Sequence, residues 1–159
     1  MGRGPLAGSM GGCYRDVFGA WVAGLMPWEW WFTGTFRTEW NVVCAGRAWK
    51  RYAGRVLGRQ ASWVSMVQLH PGGHGAHVHA VVAGVGHLSR RVAWSDWFKR
   101  YGRCRIVGCW SRPACGYLAK EVCKVPEAWD VYVSRERPLP LGDPRGPQGA
   151  GGTGEAPRA

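Results

Sequence analysis

Acidic side chains are scarce in this chain. Its 159 residues include 10 Asp and Glu against 21 Lys and Arg, a formal net charge of +11. Between positions 30 and 124 fifteen basic residues face only Glu39, Asp96 and Glu121. That excludes chemistry needing a central carboxylate pair, such as ordinary glycoside hydrolysis. A basic folded body suggests a polyanionic partner, nucleic acid first and an anionic membrane second.

Other absences narrow the field. The longest apolar run, residues 17–26, is about half of what a bilayer needs and stops at Pro27. No signal-peptide layout and no myristoylation Ser or Thr is visible, so a cytoplasmic protein without a membrane partner is expected. The six cysteines form no CxxC pair, which argues against a zinc ribbon and for reduced cysteines acting as small core residues. No Gly-Lys pair occurs, so a phosphate-binding loop and an intrinsic helicase are excluded.

What is present is apolar and aromatic. Hydrophobic residues make up 46% and eleven residues are Trp, too many for a disordered chain. The length fits one domain. Residues 1–27 read as a Gly-rich extension of uncertain order, 28–134 as the domain, and 135–159 as a Pro/Gly-rich disordered tail.

The middle alternates strand-like and helix-like patterns. Residues 30–37 (WWFTGTFR) read as a strand, and Thr38 can cap a helix over 39–59 with Trp49, Tyr52, Ala53 and Val56 on one stripe. Strands follow at 62–70 and 77–84, around a turn at Pro71-Gly72-Gly73-His74-Gly75. Ser89 caps a second helix striped by Trp94, Trp97, Phe98 and Tyr101. A short strand over 105–110, a helix over 111–125 and a last strand at 131–133 complete the order. This pattern gives an α+β fold, an antiparallel sheet of four to five strands with helices mainly on one face.

All five histidines fall between positions 70 and 87. His77 and His79 are two apart on a strand, so their imidazoles leave one face and can share a metal ion. If 71–76 is the hairpin loop, opposed residues sum to 147; His70 then faces His77, and Gln68 faces His79. Either Gln68 or His70 could complete a three-ligand set. His74 reads as a solvated turn residue.

On the last helix, Tyr117, Lys120, Glu121 and Lys124 share a face, while Leu118, Val122 and Val125 form the opposite, sheet-packing face. A phenol beside two ammoniums is favoured as phenolate, and the same cations can hold a phosphate oxygen.

Phe32-Thr33-Gly34-Thr35-Phe36, His77-Val78-His79 and Tyr117-Leu118-Ala119-Lys120 occur in that order. Over about residues 30–125 the chain resembles the HUH endonuclease superfamily, in its single-tyrosine rolling-circle replication initiator (Rep) branch. The resemblance implies an RRM/ferredoxin-like sheet with the histidines on a central strand, a divalent ion (Mg²⁺ or Mn²⁺) and nicking of single-stranded DNA. By the same resemblance Tyr117 is the nucleophile, His77 and His79 are metal ligands, and Lys120 orients or neutralises the phosphate. Many relatives place a carboxylate where this chain has Gln68, whose neutral oxygen binds a hard cation less strongly. Arg37, Arg112 and Lys124 are the expected DNA contacts, and exposed Trp could stack on bases. A separate helicase and host replication machinery would be needed. A paired second tyrosine is absent, since Pro113 and Glu121 flank Tyr117 at four residues. Rival readings are a single-tyrosine HUH transposase, a phosphoesterase without covalent intermediate, and a non-catalytic RRM-like nucleic-acid-binding module.

Overall fold

The computed structural model describes residues 10–70, 75–109, 111–122 and 128–136. Its elements are α1 (Met10–Leu25), β1 (Trp30–Thr35), α2 (Val42–Tyr52) continued by a π-helical turn (Ala53–Leu57), β2 (Ser62–Leu69) and β3 (Ala76–Ala83). Then follow α3 (Arg90–Arg100), β4 (Cys104–Gly108), α4 (Ser111–Val122) and β5 (Trp129–Tyr132). The five strands form one sheet in the order β4-β1-β3-β2-β5, with all neighbours antiparallel. The first four strands with α2 and α3 make the β-α-β-β-α-β ferredoxin-like unit, and β5 widens its edge. This is the α+β class expected, with the histidine strand β3 at the centre.

Alternation along the strands sorts side chains onto two faces. Trp30 and Phe32 of β1, Val67 of β2, and Val78, Ala80 and Val82 of β3 pack against Ala45, Trp49 and Tyr52 of α2 and Trp97 of α3. Phe32 lies at the centre, with ring centroids 4.9 Å from Trp49 and 4.9 Å from Trp97. The tyrosine hydroxyl brought into this core finds a partner: Tyr52 donates to the Ala93 carbonyl at 3.0 Å. Burial raises the Tyr52 phenol well above its ordinary range, so it stays protonated.

Gly34 in β1 is explained by the same packing. A Cβ there would come within 2.5 Å of the Trp97 ring and 2.6 Å of Phe32, so the indole lies where a side chain would be. Gly102 serves the next turn: at φ +154° it lets the chain pass the Thr35 carbonyl, which a Cβ would meet at 2.6 Å.

The helices are more widely distributed than the sequence suggested, because α1 and α4 cover the second face. Val22 and Met26 of α1, Val64 and Met66 of β2, Val81 and Ala83 of β3, and Cys115, Leu118 and Val122 of α4 form a second core. Residues 10–25 thus form a packed helix. Gly19 crosses α4 closely enough that a Cβ would sit 3.4 Å from the Gly116 backbone. The buried Trp28 indole donates to the Val22 carbonyl at 2.7 Å and ties the end of α1 to the sheet.

Three local expectations change. The N-cap of α2 is Asn41, not Thr38; its side chain accepts from the Cys44 amide at 2.8 Å, and Trp40 stacks on Phe36 before the helix begins. The α3 stripe is only partly a core stripe: Trp97 is fully buried, while Trp94 and Phe98 are about 40% exposed and stack on each other. The β2–β3 register is two residues tighter than expected: Gln68 faces His77, Met66 faces His79, and the His70 amide bonds to the Gly75 carbonyl at 2.9 Å. Gly75 adopts φ +82°, so the hairpin closes between 70 and 75. A shift of two preserves the side-chain faces, so Gln68 stays on the histidine face. His74 and the tail beyond 136 lie outside the described residues.

Candidate active site

His77 and His79 leave β3 on the face that carries α1 and α4. Their ring centroids are 4.9 Å apart. His79 is buried and faces Thr33 across the β1–β3 pair, with Thr33 Oγ1 3.2 Å from its Nδ1. That contact fixes the ring plane. Trp31, two residues earlier on β1, stacks against His79 at 5.7 Å. On the other side, the Gln68 amide oxygen lies 3.0 Å from His77 Nε2. His70 sits past the end of β2 with its ring 6.0 Å from that of His77.

Helix α4 brings Tyr117 to the same place. Leu118, Ala119 and Val122 are buried on the sheet side, which holds the helix in rotation. The Tyr117 ring lies 5.5 Å from His79 and 5.8 Å from Trp31, edge-on to Trp31, and is 42% exposed. A cleft of about 410 Å³ opens beside it, lined by Trp31, His79, Val107, Gly108, Pro113, Ala114 and Tyr117. Lys120 is exposed one turn further along α4.

Of the residues expected to act, His77, His79, Gln68 and Tyr117 therefore converge, and Lys120 stands on the helix that carries Tyr117. Arg37 does not join them. Its guanidinium donates to the Lys99 carbonyl at 3.2 Å and to the Phe98 carbonyl, and lies over the Phe98 ring. Those carbonyls end α3, so Arg37 serves as a helix-terminal clamp, because a guanidinium fork satisfies carbonyls that have no helical partner. Arg112 lies in the first turn of α4, with its side chain outside the described part, and Lys124 lies outside the described residues. Thr33 and Trp31 are the additions. Neither was legible without the β1–β3 register, although both flank or belong to the FTGTF strand.

Cys109 and Cys115, on the α1/α4 face, do not compete for this chemistry. Burial pushes the Cys115 thiol up to about 12, with Cys109 adding to the effect, and burial also raises Cys109. Both stay protonated at neutral pH and are poor ligands or nucleophiles.

Among the described residues no three His, Cys, Asp or Glu side chains group to hold a metal ion. A divalent ion at this place would meet two imidazoles and the Gln68 amide oxygen. Imidazole suits borderline cations, and the set has one hard donor, so it fits Mn²⁺ better than Mg²⁺. As ligands all three donors would be uncharged, which would leave the charge of an ion unspent for an anionic ligand such as phosphate. No helix among the described residues is long and apolar enough to cross a membrane.

Comparison with known protein families, with curated proteins and with solved structures gives no match to this chain. The functional reading therefore rests on the residues themselves.

Proposed function

We propose that this chain is a single-stranded DNA nickase and strand-transferase of the HUH endonuclease type. More particularly, it is a single-tyrosine initiator of rolling-circle replication. The observation that carries this reading is the meeting of Tyr117, from α4, with the histidine pair of β3 beside an open cleft.

The chemistry follows from the residue types. Tyr117 Oη forms a bond to the phosphorus of a DNA phosphodiester as the bond from phosphorus to the 3′-oxygen breaks. The phenolic proton passes to solvent, and the leaving oxygen takes up a proton to become a 3′-hydroxyl. The product is a 5′-phosphotyrosine, whose retained bond energy lets a later 3′-hydroxyl displace Tyr117 and reseal the strand. His77, His79 and Gln68 would hold a divalent ion; when bound, it supplies Lewis-acid polarisation of the phosphate. Thr33 keeps the His79 imidazole in one orientation, the usual task of a group bonded to the second nitrogen of a ligating histidine. Lys120 places a positive charge on the same helix, one turn from the nucleophile, where it can help to offset the charge of a bound phosphate. The net charge of +11 favours a nucleic-acid strand as substrate.

The test is incubation with Mn²⁺ and a randomised single-stranded DNA library, followed by sequencing of covalently attached strands and peptide mapping of the adduct. DNA on Tyr117 is the expected result. Cleavage without an adduct would assign hydrolytic phosphoesterase chemistry, and binding without cleavage a recognition module; either would overturn the proposal.

A further inference from the structure

We infer that a second groove, on the sheet face opposite Tyr117, binds one nucleotide unit of a single-stranded nucleic acid. The groove runs between the π-helical turn Ala53–Leu57 and β5 and holds about 460 Å³, within the roughly 300–1,000 Å³ of small-ligand clefts. Lys50, Gly54, Arg59, Asp130 and Tyr132 line it.

Its aromatic wall is built and fixed. Tyr132 pairs across β2–β5 with Trp63, and the two rings lie nearly parallel, 24° apart with centroids 5.8 Å apart. Trp63 is buried, while Tyr132 is 45% exposed. A ring backed by a buried indole is a rigid platform that a base can cover at little entropic cost.

The polar groups suit a nucleotide. Lys50 and Asp130 form an ion pair on the wall, a donor and an acceptor side by side, which matches the mixed edges of a base. Arg59 is exposed and adds a guanidinium for phosphate. The lining thus carries one more positive than negative charge, the balance required by a single phosphodiester.

Gly54 is the second, independent sign. Glycine in a helical interior is unfavourable, yet a Cβ at Gly54 would touch nothing within 4 Å, so packing does not require it. Its effect is to leave the groove open. The π-helical turn that contains it is a rare backbone form that is frequent at functional sites. The exposed Arg59 and Tyr132 leave the groove open-sided, which suits a strand that enters and leaves more than an enclosed free nucleotide.

The test uses full-length Tyr117→Phe protein in chelator, so that neither nicking nor an ion contributes. A short oligothymidylate carrying 5-iodouracil should photocrosslink to Tyr132. Tyr132→Ala should weaken oligonucleotide binding about tenfold, the usual effect of one lost stacking platform, while Tyr132→Trp retains it. Gly54→Leu should fold with equal or higher thermal stability and show the same loss. Free dTMP should compete only at concentrations on the order of a hundredfold above the oligonucleotide. Binding within twofold of the parent in both Gly54→Leu and Tyr132→Ala would overturn the proposal. So would dTMP competing at the oligonucleotide's own concentration, which would assign a free nucleotide. A failure of Tyr117 to form an adduct bears on neither result.

Discussion

The two faces of the sheet are built from the same strands and do different work. On the α2/α3 face, Phe32, Trp49, Tyr52 and Trp97 are all essentially inaccessible to solvent. Each such side chain contributes about 2–3 kcal/mol of burial, so this face supplies a large part of the folding energy. On the α1/α4 face the buried aliphatic contacts among the described residues lie toward one end. Val64, Met66 and Val81 pack beneath Leu118 and Val122, and the β3 row then changes from Val81 to His79 and His77. A single strand thus carries an apolar row on one side and a row on the other that turns polar midway. That change places imidazoles next to a packed helix without removing the core that holds the helix in position.

If the faces are divided in this way, substitutions on the histidine side should remove chemistry and spare the fold. Tyr117→Phe is the sharpest case. Nicking and the covalent adduct should fall by roughly a thousandfold or more. The urea midpoint should hardly move, because the ring is 42% exposed and keeps its contacts with His79 and Trp31. An adduct that persists in Tyr117→Phe would make another residue the nucleophile. His77→Ala should likewise abolish ion-dependent nicking while salt-sensitive DNA binding survives, since binding draws on Arg and Lys. His79→Ala should do the same with a modest added loss of stability, because His79 is buried. Equal losses of binding and cleavage would mean that the histidines contact DNA rather than an ion.

The opposite face gives the converse experiment. Gly34→Ala places a methyl 2.5 Å from the Trp97 ring, and an indole wedged between Phe32, Tyr52 and Tyr101 has nowhere to go. Overpacking of this kind costs about 2–3 kcal/mol, read as a lower urea midpoint with an unchanged slope. Nicking per folded molecule should stay within a few-fold. Thr33→Val, one residue earlier but on the histidine side, should reverse the pattern. Stability should stay within about 1 kcal/mol, while ion affinity and nicking fall about 10- to 100-fold, the usual effect of losing a group that orients a ligating histidine. A Thr33→Val protein with undiminished ion affinity would show that strand packing alone holds His79.

The order of elements was legible because alternation and helical stripes are strong in β2, β3 and α2. The convergence of His77, His79 and Tyr117 was legible from motif order. Helix α1 was not, since a Gly-rich amphipathic segment gains its stability from tertiary packing, here on α4 and the sheet, rather than from local propensity. The β2–β3 register was two residues off because Pro71, Gly72, Gly73 and Gly75 permit several turns. Parity survived the error, which is why Gln68 remained a candidate. Thr33 was invisible because its contact with His79 spans 46 residues. The carbonyl partners of Arg37 were invisible because charge in a sequence does not say what a guanidinium touches.

Arg37 also gives the smallest and most discriminating prediction. Its guanidinium meets the last carbonyls of α3 and rests on Phe98, so it acts where a helix end carries partial negative charge. The site is exposed, which limits the contribution. Arg37→Ala should therefore cost about 0.5–1 kcal/mol of stability, with a small drop in the urea midpoint. Oligonucleotide affinity should stay within twofold. The dependence of log affinity on log salt decides between the two roles: a lost phosphate contact makes the slope shallower by about 0.7 for a single strand, whereas a lost helix clamp leaves it unchanged. The expected slope is the parental one. A shallower slope with an unmoved urea midpoint would return Arg37 to the DNA and remove it from the folding side of the sheet.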